Sequence, residues 1–230
     1  MQRDLDHGAG KRRTRRDRNG SRGRLYESGG HGRLSQIAAR ANGDPNIYIY
    51  SKSLVYGATA LANGTQNSGY LADIAAAKAR LTTEIEYLVS ICPYVNIILA
   101  GYSQGAQIIG DTISSYSSRL SASASQHITG VVLFADPSYR SGERWDDGAS
   151  GSNLGTFPRE QGAFVYFNRT NWDLGFPVDV PSVHSWCIPG DAICQQNYSD
   201  AGMNIHGSGY TTDYMNRGWD FLRVGLVDNG

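Results

Sequence analysis

The chain has 230 residues, 40% of them hydrophobic, which fits one domain with a full buried core. Its 21 basic and 21 acidic residues cancel, but residues 1–33 hold ten Lys and Arg against four Asp and Glu, so this segment carries +6 and the remainder −6. No apolar run reaches the roughly 18–20 residues of a membrane span, and residues 1–20 lack the apolar stretch of a signal peptide. These features argue against a membrane protein.

Residues 1–33 contain almost no large apolar side chains, and Gly and Arg alternate irregularly along them. Such a segment cannot offset the entropy that is lost when a chain is ordered, so we expect it to be disordered. Its candidates for a strand, Leu25 and Tyr26, are isolated among Arg, Glu, Ser and Gly. Strands inside a parallel sheet are apolar on both faces, so we expect no central strand here.

From Leu34 onward the sequence alternates between helical and strand-like segments. Residues 35–41 favour a short helix, residues 47–50 a strand, and residues 69–90 a long helix that Cys92-Pro93 would end. The next predicted elements are a strand, a helix, two strands and a C-terminal helix, over residues 95–100, 105–115, 130–135, 163–167 and 211–226. This alternation predicts an α/β fold with a mostly parallel sheet covered on both faces.

The long stretch between the last two predicted strands, residues 136–162, is rich in Gly, Ser, Asp and Arg. It is too irregular for a core element and longer than most connections, and such loops commonly line functional sites. We expect it to border the site.

A possible nucleophile lies in Gly101-Tyr-Ser103-Gln-Gly105, between a predicted strand and a predicted helix. In that setting a G-x-S-x-G pattern forms a sharp elbow that exposes the serine hydroxyl, and the glycines leave room for the tight turn. The following helix points its N-terminus at the site, so the main-chain amide of Gln104 can donate to a developing oxyanion.

A serine hydroxyl needs a base, and the chain has five histidines. His7 and His31 lie in the basic segment, and His127 comes just before a strand and is better explained as a surface or turn residue. His184 and His206 remain, both after the last predicted strand, where a hydrolase with the order serine, acid, histidine has its base.

The acid that would orient this base has two candidates, Asp191 and Asp136. Asp191 stands between Cys187 and Cys194, and a disulfide across this short span would lock a tight loop that projects the carboxylate. The plain alternative is a structural disulfide with Asp191 as a turn residue. Asp136 ends the predicted strand 130–135 and could also approach the serine. We favour Asp191, because its loop precedes His206 in the expected order.

Three segments together point to a known family: the run from Cys92-Pro93 through Asn96 to Ala106, the spacing of Cys187, Asp191 and Cys194, and Ile205-His206-Gly-Ser-Gly-Tyr210. They resemble the cutinases and the acetylxylan esterases of carbohydrate esterase family five, which are small single-domain α/β-hydrolases without a lid. The resemblance covers about Leu34 to Leu226. It implies a three-layer sandwich, nucleophile Ser103, base His206, acid Asp191, oxyanion donor Gln104 and a Cys187–Cys194 disulfide.

The N-terminus departs from that family pattern. The family has a signal peptide, a cysteine that pairs with the one matching Cys92, and a first strand followed by the second oxyanion donor. We therefore expect a free Cys92, a disordered or wrongly translated segment over residues 1–33, and a catalytic domain over residues 34–230. Without the first strand, we also expect a gap in the sheet beside residues 95–100, a missing second oxyanion donor and weak activity.

The resulting hypothesis is a secreted, monomeric serine esterase without cofactor or metal, acting through a Ser-His-Asp triad and an acyl-enzyme. Its substrate would be an acetyl ester of plant cell-wall polysaccharide or a cutin-like polyester. The polar run Gln195–Asp200 and the excess of 14 Tyr over 6 Phe favour the acetylated polysaccharide. No metal site is expected, since the disulfide accounts for Cys187 beside His184.

Two alternatives stay open. A hydrolase-fold protein without its first strand would be catalytically impaired. A nuclear or nucleic-acid-binding protein could instead be tethered by the run Lys11–Arg16. The second is less favoured, because the acidic body offers no stripe of interleaved basic and aromatic residues for nucleic acid.

Overall fold

The computed structural model describes residues 21–28, 32–61, 65–116, 120–147, 150–171 and 178–227. The strands are β1 (Ser21–Ser28), β2 (Ile47–Ser53), β3 (Asn96–Tyr102), β4 (Ile128–Phe134), β5 (Asn168–Asn171), β6 (Val178–Pro181) and β7 (Val183–Trp186). The helices are α1 (Leu34–Gly43), α2 (Ser68–Ile91), α3 (Gln104–Ile113), α4 (Ala122–Gln126), α5 (Asp200–Asn204) and α6 (Thr212–Val227), with a π-helix over Ile205–Gly209.

The main sheet has five strands in the order β2-β1-β3-β4-β7, and every neighbouring pair is parallel. One apolar core lies between this sheet and α2, α3 and α4, and a second lies between the sheet and α1 and α6. Strands β5 and β6 form a separate antiparallel pair. The three-layer α/β architecture agrees with the prediction. Over the described ranges, no helix is long and apolar enough to cross a membrane.

The segments with clear hydrophobic patterns form the predicted elements. Helix α2 begins where the Asn67 side chain accepts a hydrogen bond from the Tyr70 amide, 2.9 Å away, and it buries Ile74, Leu81 and other residues near one face. Strand β3 is buried on both faces, with residues 97–100 all at 0% exposure. A strand of this kind lies in the interior of a parallel sheet.

The prediction that residues 1–33 form no central strand is wrong for Ser21–Ser28. These eight residues form β1, which lies between β2 and β3 and pairs with both. The expected gap beside residues 95–100 is therefore filled. The physical reason is that a main chain between two parallel neighbours can use its amides and carbonyls on both edges, whatever its side-chain pattern. Residues 1–20 and 29–31 lie outside the described residues.

The strand predicted over residues 163–167 is also wrong. Residues 161–166 form consecutive turns, in which the amides of Val165 and Phe167 donate to the carbonyls of Gly162 and Phe164. Gly162 has a φ of +76°, which favours glycine and starts this turn. Ala163 and Phe164 are nevertheless buried, so the apolar run packs against the core without joining the sheet.

Candidate active site

Ser103 lies on a tight turn between β3 and α3. It has φ 52° and ψ −124°, a conformation that L-residues rarely adopt, and its amide donates to the carbonyl of Phe134 at 2.9 Å. A Cβ at Gly101 would come within 2.7 Å of the Ala106 Cα and 2.8 Å of the Gly105 carbonyl oxygen. The turn therefore requires glycine at position 101, as the elbow pattern predicts.

His206 lies on the π-helix and faces this serine. Its Nε2 is 2.9 Å from the Ser103 Oγ, and 13% of its side chain is exposed. Single π-helical turns occur often at functional sites. The main chain at His206 is held by the hydroxyl of Tyr102, which donates to the His206 carbonyl oxygen. A neutral imidazole at this distance can accept the serine proton.

Asp191 binds the other side of the imidazole. The His206 Nδ1 is 3.0 Å from each carboxylate oxygen of Asp191, which is completely buried. Oδ1 also accepts hydrogen bonds from the amides of Ile193 at 2.7 Å and Cys194 at 3.0 Å. A disulfide joins Cys187 to Cys194 and closes the loop that carries the carboxylate. Cys92 is free.

The other two candidates from the sequence make different contacts. Asp136 binds the guanidinium of Arg159 and accepts from the Ser138 amide at 2.8 Å. His184 lies in β7, with its ring 4.1 Å from the Trp186 ring and its Nε2 3.4 Å from the Asp147 carboxylate. Burial lowers the pKa of His184. The structure thus brings His206 and Asp191 to Ser103 and holds His184 and Asp136 elsewhere.

Gln104 is the first residue of α3. Its main-chain amide has no partner within the helix, because the first four amides of a helix have none. Its side chain points away to donate to the Thr59 carbonyl at 3.3 Å. The predicted loss of a second oxyanion donor concerns the residues after β1, and residues 29–31 lie outside the described residues. The basic run Lys11–Arg16, considered above as a nucleic-acid tether, also lies outside them.

Two tyrosines near the site were not found from the sequence. Tyr102, the second residue of the elbow motif, accepts from Arg33 at 3.1 Å, and burial raises the pKa of its hydroxyl to about 12. Tyr210 ends the segment Ile205–Tyr210, which carries His206, and it donates to the Asp191 Oδ2 at 3.1 Å. The sequence signal that could indicate them is their position, since Tyr102 directly precedes Ser103 and Tyr210 closely follows His206. Among the described residues, no group of three or more His, Cys, Asp or Glu could hold a metal ion.

An open parallel sheet with a serine on a strand–helix elbow defines an α/β-hydrolase, and over the described residues it has the architecture of the members without a lid. The Cutinase family model matches residues 22–225, and the chain belongs to this family. It is a carboxylic ester hydrolase.

Similar proteins agree with this assignment. Acetylxylan esterase 2 of Talaromyces purpureogenus is 25% identical over 211 residues, covering 86% of this chain and 82% of that protein. Cutinase CUT1 of Coprinopsis cinerea is 39% identical over 71 residues, covering 30% of this chain and 34% of that one. A solved acetylxylan esterase structure has a TM-score of 0.68 at 20% identity, covering 90% of this chain and 99% of its own, which shows the shared fold.

Proposed function

We propose that this enzyme cleaves esters with Ser103 as nucleophile, His206 as general base and Asp191 as the group that orients the base. The observation that supports this most directly is the continuous hydrogen-bonded series of the three side chains, with 2.9 Å from serine to imidazole and 3.0 Å from imidazole to carboxylate. These are distances at which a proton can be transferred and an imidazole held in one tautomer.

In the first half of the reaction, the Ser103 Oγ attacks the ester carbonyl carbon while its proton passes to the His206 Nε2. The carbonyl oxygen takes up the electron pair and accepts a hydrogen bond from the Gln104 amide at the start of α3. The Nδ1 proton of His206 stays on the Asp191 side, where the buried carboxylate stabilises the imidazolium.

Acylation is completed when the carbon–oxygen bond to the leaving alcohol breaks and the His206 Nε2 gives that alcohol its proton. The acyl group remains on Ser103. In the second half of the reaction, a water molecule attacks the acyl carbon while the His206 Nε2 takes a proton from it. The bond between the acyl carbon and the Ser103 Oγ then breaks, His206 returns the proton to Oγ, and the carboxylic acid leaves.

For substrate we propose short acyl groups on polysaccharide, with acetylxylan as the leading case and a cutin-like polyester as the second. Residues 196–200, which precede the segment that carries His206, are polar and largely exposed. The similarity to an acetylxylan esterase also spans most of both chains. The site draws its three side chains from one chain, consistent with a monomer, and its buried disulfide suits an exported protein.

Hydrolysis of p-nitrophenyl acetate tests the assignment of the residues. We expect Ser103→Ala and His206→Gln to lose about 10⁴-fold or more in kcat/KM, since members of such a triad act as a unit. His184→Gln is the matched control and should keep activity within a few-fold. Activity retained in Ser103→Ala, or an equal loss in His184→Gln, would refute the proposed triad.

A comparison of kcat/KM on acetylated xylan and on a long-chain ester tests the substrate. We expect acetylated xylan to be hydrolysed faster, because the polar segment beside the site suits a hydrated carbohydrate better than an alkyl chain. A preference for the long-chain ester would overturn the substrate proposal and leave the triad intact.

A further inference from the structure

A fourth side chain, Tyr210, contacts the acid of the site from a buried position. It follows the π-helix that carries His206 and is 1% exposed. Its hydroxyl donates to the Asp191 Oδ2 at 3.1 Å and accepts from the Ile188 amide at 3.1 Å. A phenol has one proton to donate. Because the Ile188 amide already supplies the proton in its own hydrogen bond, the phenol proton is directed at the Asp191 Oδ2.

The two oxygens of the Asp191 carboxylate have different partners. Oδ1 accepts hydrogen bonds from the amides of Ile193 and Cys194, which belong to the same disulfide-closed loop. Apart from the shared Nδ1 of His206, Oδ2 has the Tyr210 hydroxyl as its donor among the described residues. A fully buried carboxylate oxygen that lacks a donor is costly, so this hydroxyl is the group that satisfies Oδ2.

Towards the carboxylate the Tyr210 hydroxyl can act only as a donor, and its other nearby group, the disulfide-bonded Cys194 Sγ at 3.4 Å, is a weak acceptor. Burial, and then the negative charge of Asp191, raise the pKa of its hydroxyl well above the ordinary value, so it stays protonated. Its ring is packed edge-on against Tyr102, with centroids 5.5 Å apart, and against Phe134 at 6.3 Å. The ring therefore has little freedom to move the hydroxyl away.

We infer that Tyr210 is a positioning residue, whose hydroxyl fixes the Asp191 carboxylate against His206 and moderates its basicity. This inference rests on the proposed roles of Ser103, His206 and Asp191. A carboxylate that gives part of its charge to the tyrosine proton binds the imidazolium less tightly, and one that cannot rotate keeps the imidazole aligned with the serine. Tyr210 is buried and would not touch the substrate.

The variant Tyr210→Phe tests this, because it keeps the ring and removes the hydroxyl. With p-nitrophenyl acetate we expect kcat to fall about tenfold and KM to stay within about twofold. In a plot of activity against pH, the activity rises as His206 loses its proton, and we call this part of the curve the pH limb. The pH at which activity is half-maximal on this limb should be about half a unit higher in the variant. Without the tyrosine proton the carboxylate is more basic and holds the imidazolium proton more tightly, so a higher pH is needed to free the base.

Two further variants separate positioning from a general loss of stability. Tyr214→Phe is the control, since the Tyr214 ring packs 5.6 Å from that of Tyr210 and its hydroxyl is not among the partners of Asp191. It should match the wild type in kcat and in the pH limb. In an Asp191→Asn background, Tyr210→Phe should cause no further shift of the limb, because the two side chains act through one contact.

The outcomes distinguish this inference from the proposed function. If Ser103→Ala stays active, the proposed triad fails. If Ser103→Ala is inactive while Tyr210→Phe equals the wild type in kcat and pH limb, the positioning role is overturned and the triad stands. A lower melting temperature in Tyr210→Phe with an unchanged limb would also overturn it, since a purely structural role predicts that result.

Discussion

Strands β1 and β3 are parallel neighbours in the centre of the sheet, but they are held there in different ways. In β3, residues 97–100 are at 0% exposure, and the apolar side chains fill the cores on both faces. β1 is placed by main-chain pairing on both edges, from Ser21 opposite Ile47 to Ser28 opposite Gly101. β3 therefore combines apolar burial with main-chain pairing on both edges, and main-chain pairing is the interaction that the structure describes for β1.

The difference bears on the active site because both strands end beside the elbow. β3 leads directly into Ser103, while Ser28 of β1 pairs with Gly101, two residues before the serine. The basic segment thus contributes a strand that supports the nucleophile. The premise of an impaired hydrolase without its first strand does not hold, since that strand is present.

Proline substitution in β1 should break this arrangement with the largest effect. In Leu25→Pro, the main chain loses one amide donor and the ring restricts φ, a change that costs about 3 kcal/mol or more inside a helix and that a central strand also does not accommodate. We expect a melting temperature lower by about 6–12 °C and a matching loss of esterase activity at 37 °C, measured by thermal unfolding and p-nitrophenyl acetate hydrolysis.

Leu25→Ala provides the matched control, because it removes the same side chain and keeps the amide donor of the strand. We expect it to lower the melting temperature and the activity less than Leu25→Pro does. Equal stability of the two variants would show that β1 does not depend on its main-chain pairing, and that the comparison between the strands is wrong.

The elbow at Gly101 tests a constraint of close packing, in which neighbouring main-chain atoms leave no space for a side chain. In Gly101→Ala, the new Cβ would meet main-chain atoms at 2.7–2.8 Å, and these cannot rotate away as a side chain could. We expect a loss of about 1–3 kcal/mol in unfolding free energy and about 100-fold in kcat, because the strained turn must shift the serine.

Gly43→Ala is its control, since a Cβ at Gly43 has no atom within 4 Å. It should unfold at the wild-type temperature and hydrolyse the ester at the wild-type rate. Wild-type kcat in Gly101→Ala would mean that the serine tolerates a displaced elbow, which contradicts the role given to this turn.

How much the sequence predicts depends on the same difference between the strands. Helix α2, β3 and the elbow follow from hydrophobic spacing and local turn chemistry. The candidates Ser103, Asp191 and His206 follow from the elbow motif, the expected chain order and the family resemblance together. β1 has only Leu25 and Tyr26 as large apolar residues, and β7 has four residues, so neither carries a readable pattern. The contact of Tyr210 with Asp191 depends on folding and cannot be read from spacing.

At the edge of the sheet formed by β7, the polar residue Asp146 is also held by main-chain contacts. The effect of pH on this residue gives a smaller test of such contacts. Asp146 forms an isolated parallel bridge with Ser185 of β7. Its Oδ2 accepts from the Glu143 amide at 3.0 Å, and its Oδ1 is buried. Burial raises the pKa of Asp146 to about 7, although the Glu143 amide acts in the opposite direction.

This pKa predicts how stability changes with pH. An aspartate in the unfolded chain has a pKa of about 3.9, so between pH 4 and 7 the unfolded chain releases a proton that the folded protein retains. The stability linked to the protonated carboxyl is complete below pH 4 and is lost as the pH rises through about 7. Asp146→Asn keeps an acceptor for the Glu143 amide and cannot ionise, so it should lose less stability between pH 5 and pH 8.

The measurement is the melting temperature of the wild type and the variant at pH 5 and pH 8. Because Asp146 is only partly buried, we expect the variant to narrow the difference between the two pH values by on the order of 2 °C. Asp213→Asn, at an exposed position in the first turn of α6, controls for the loss of one negative charge. If both variants narrow the difference equally, the effect belongs to net charge, and the main-chain bridge does not force Asp146 into a costly environment.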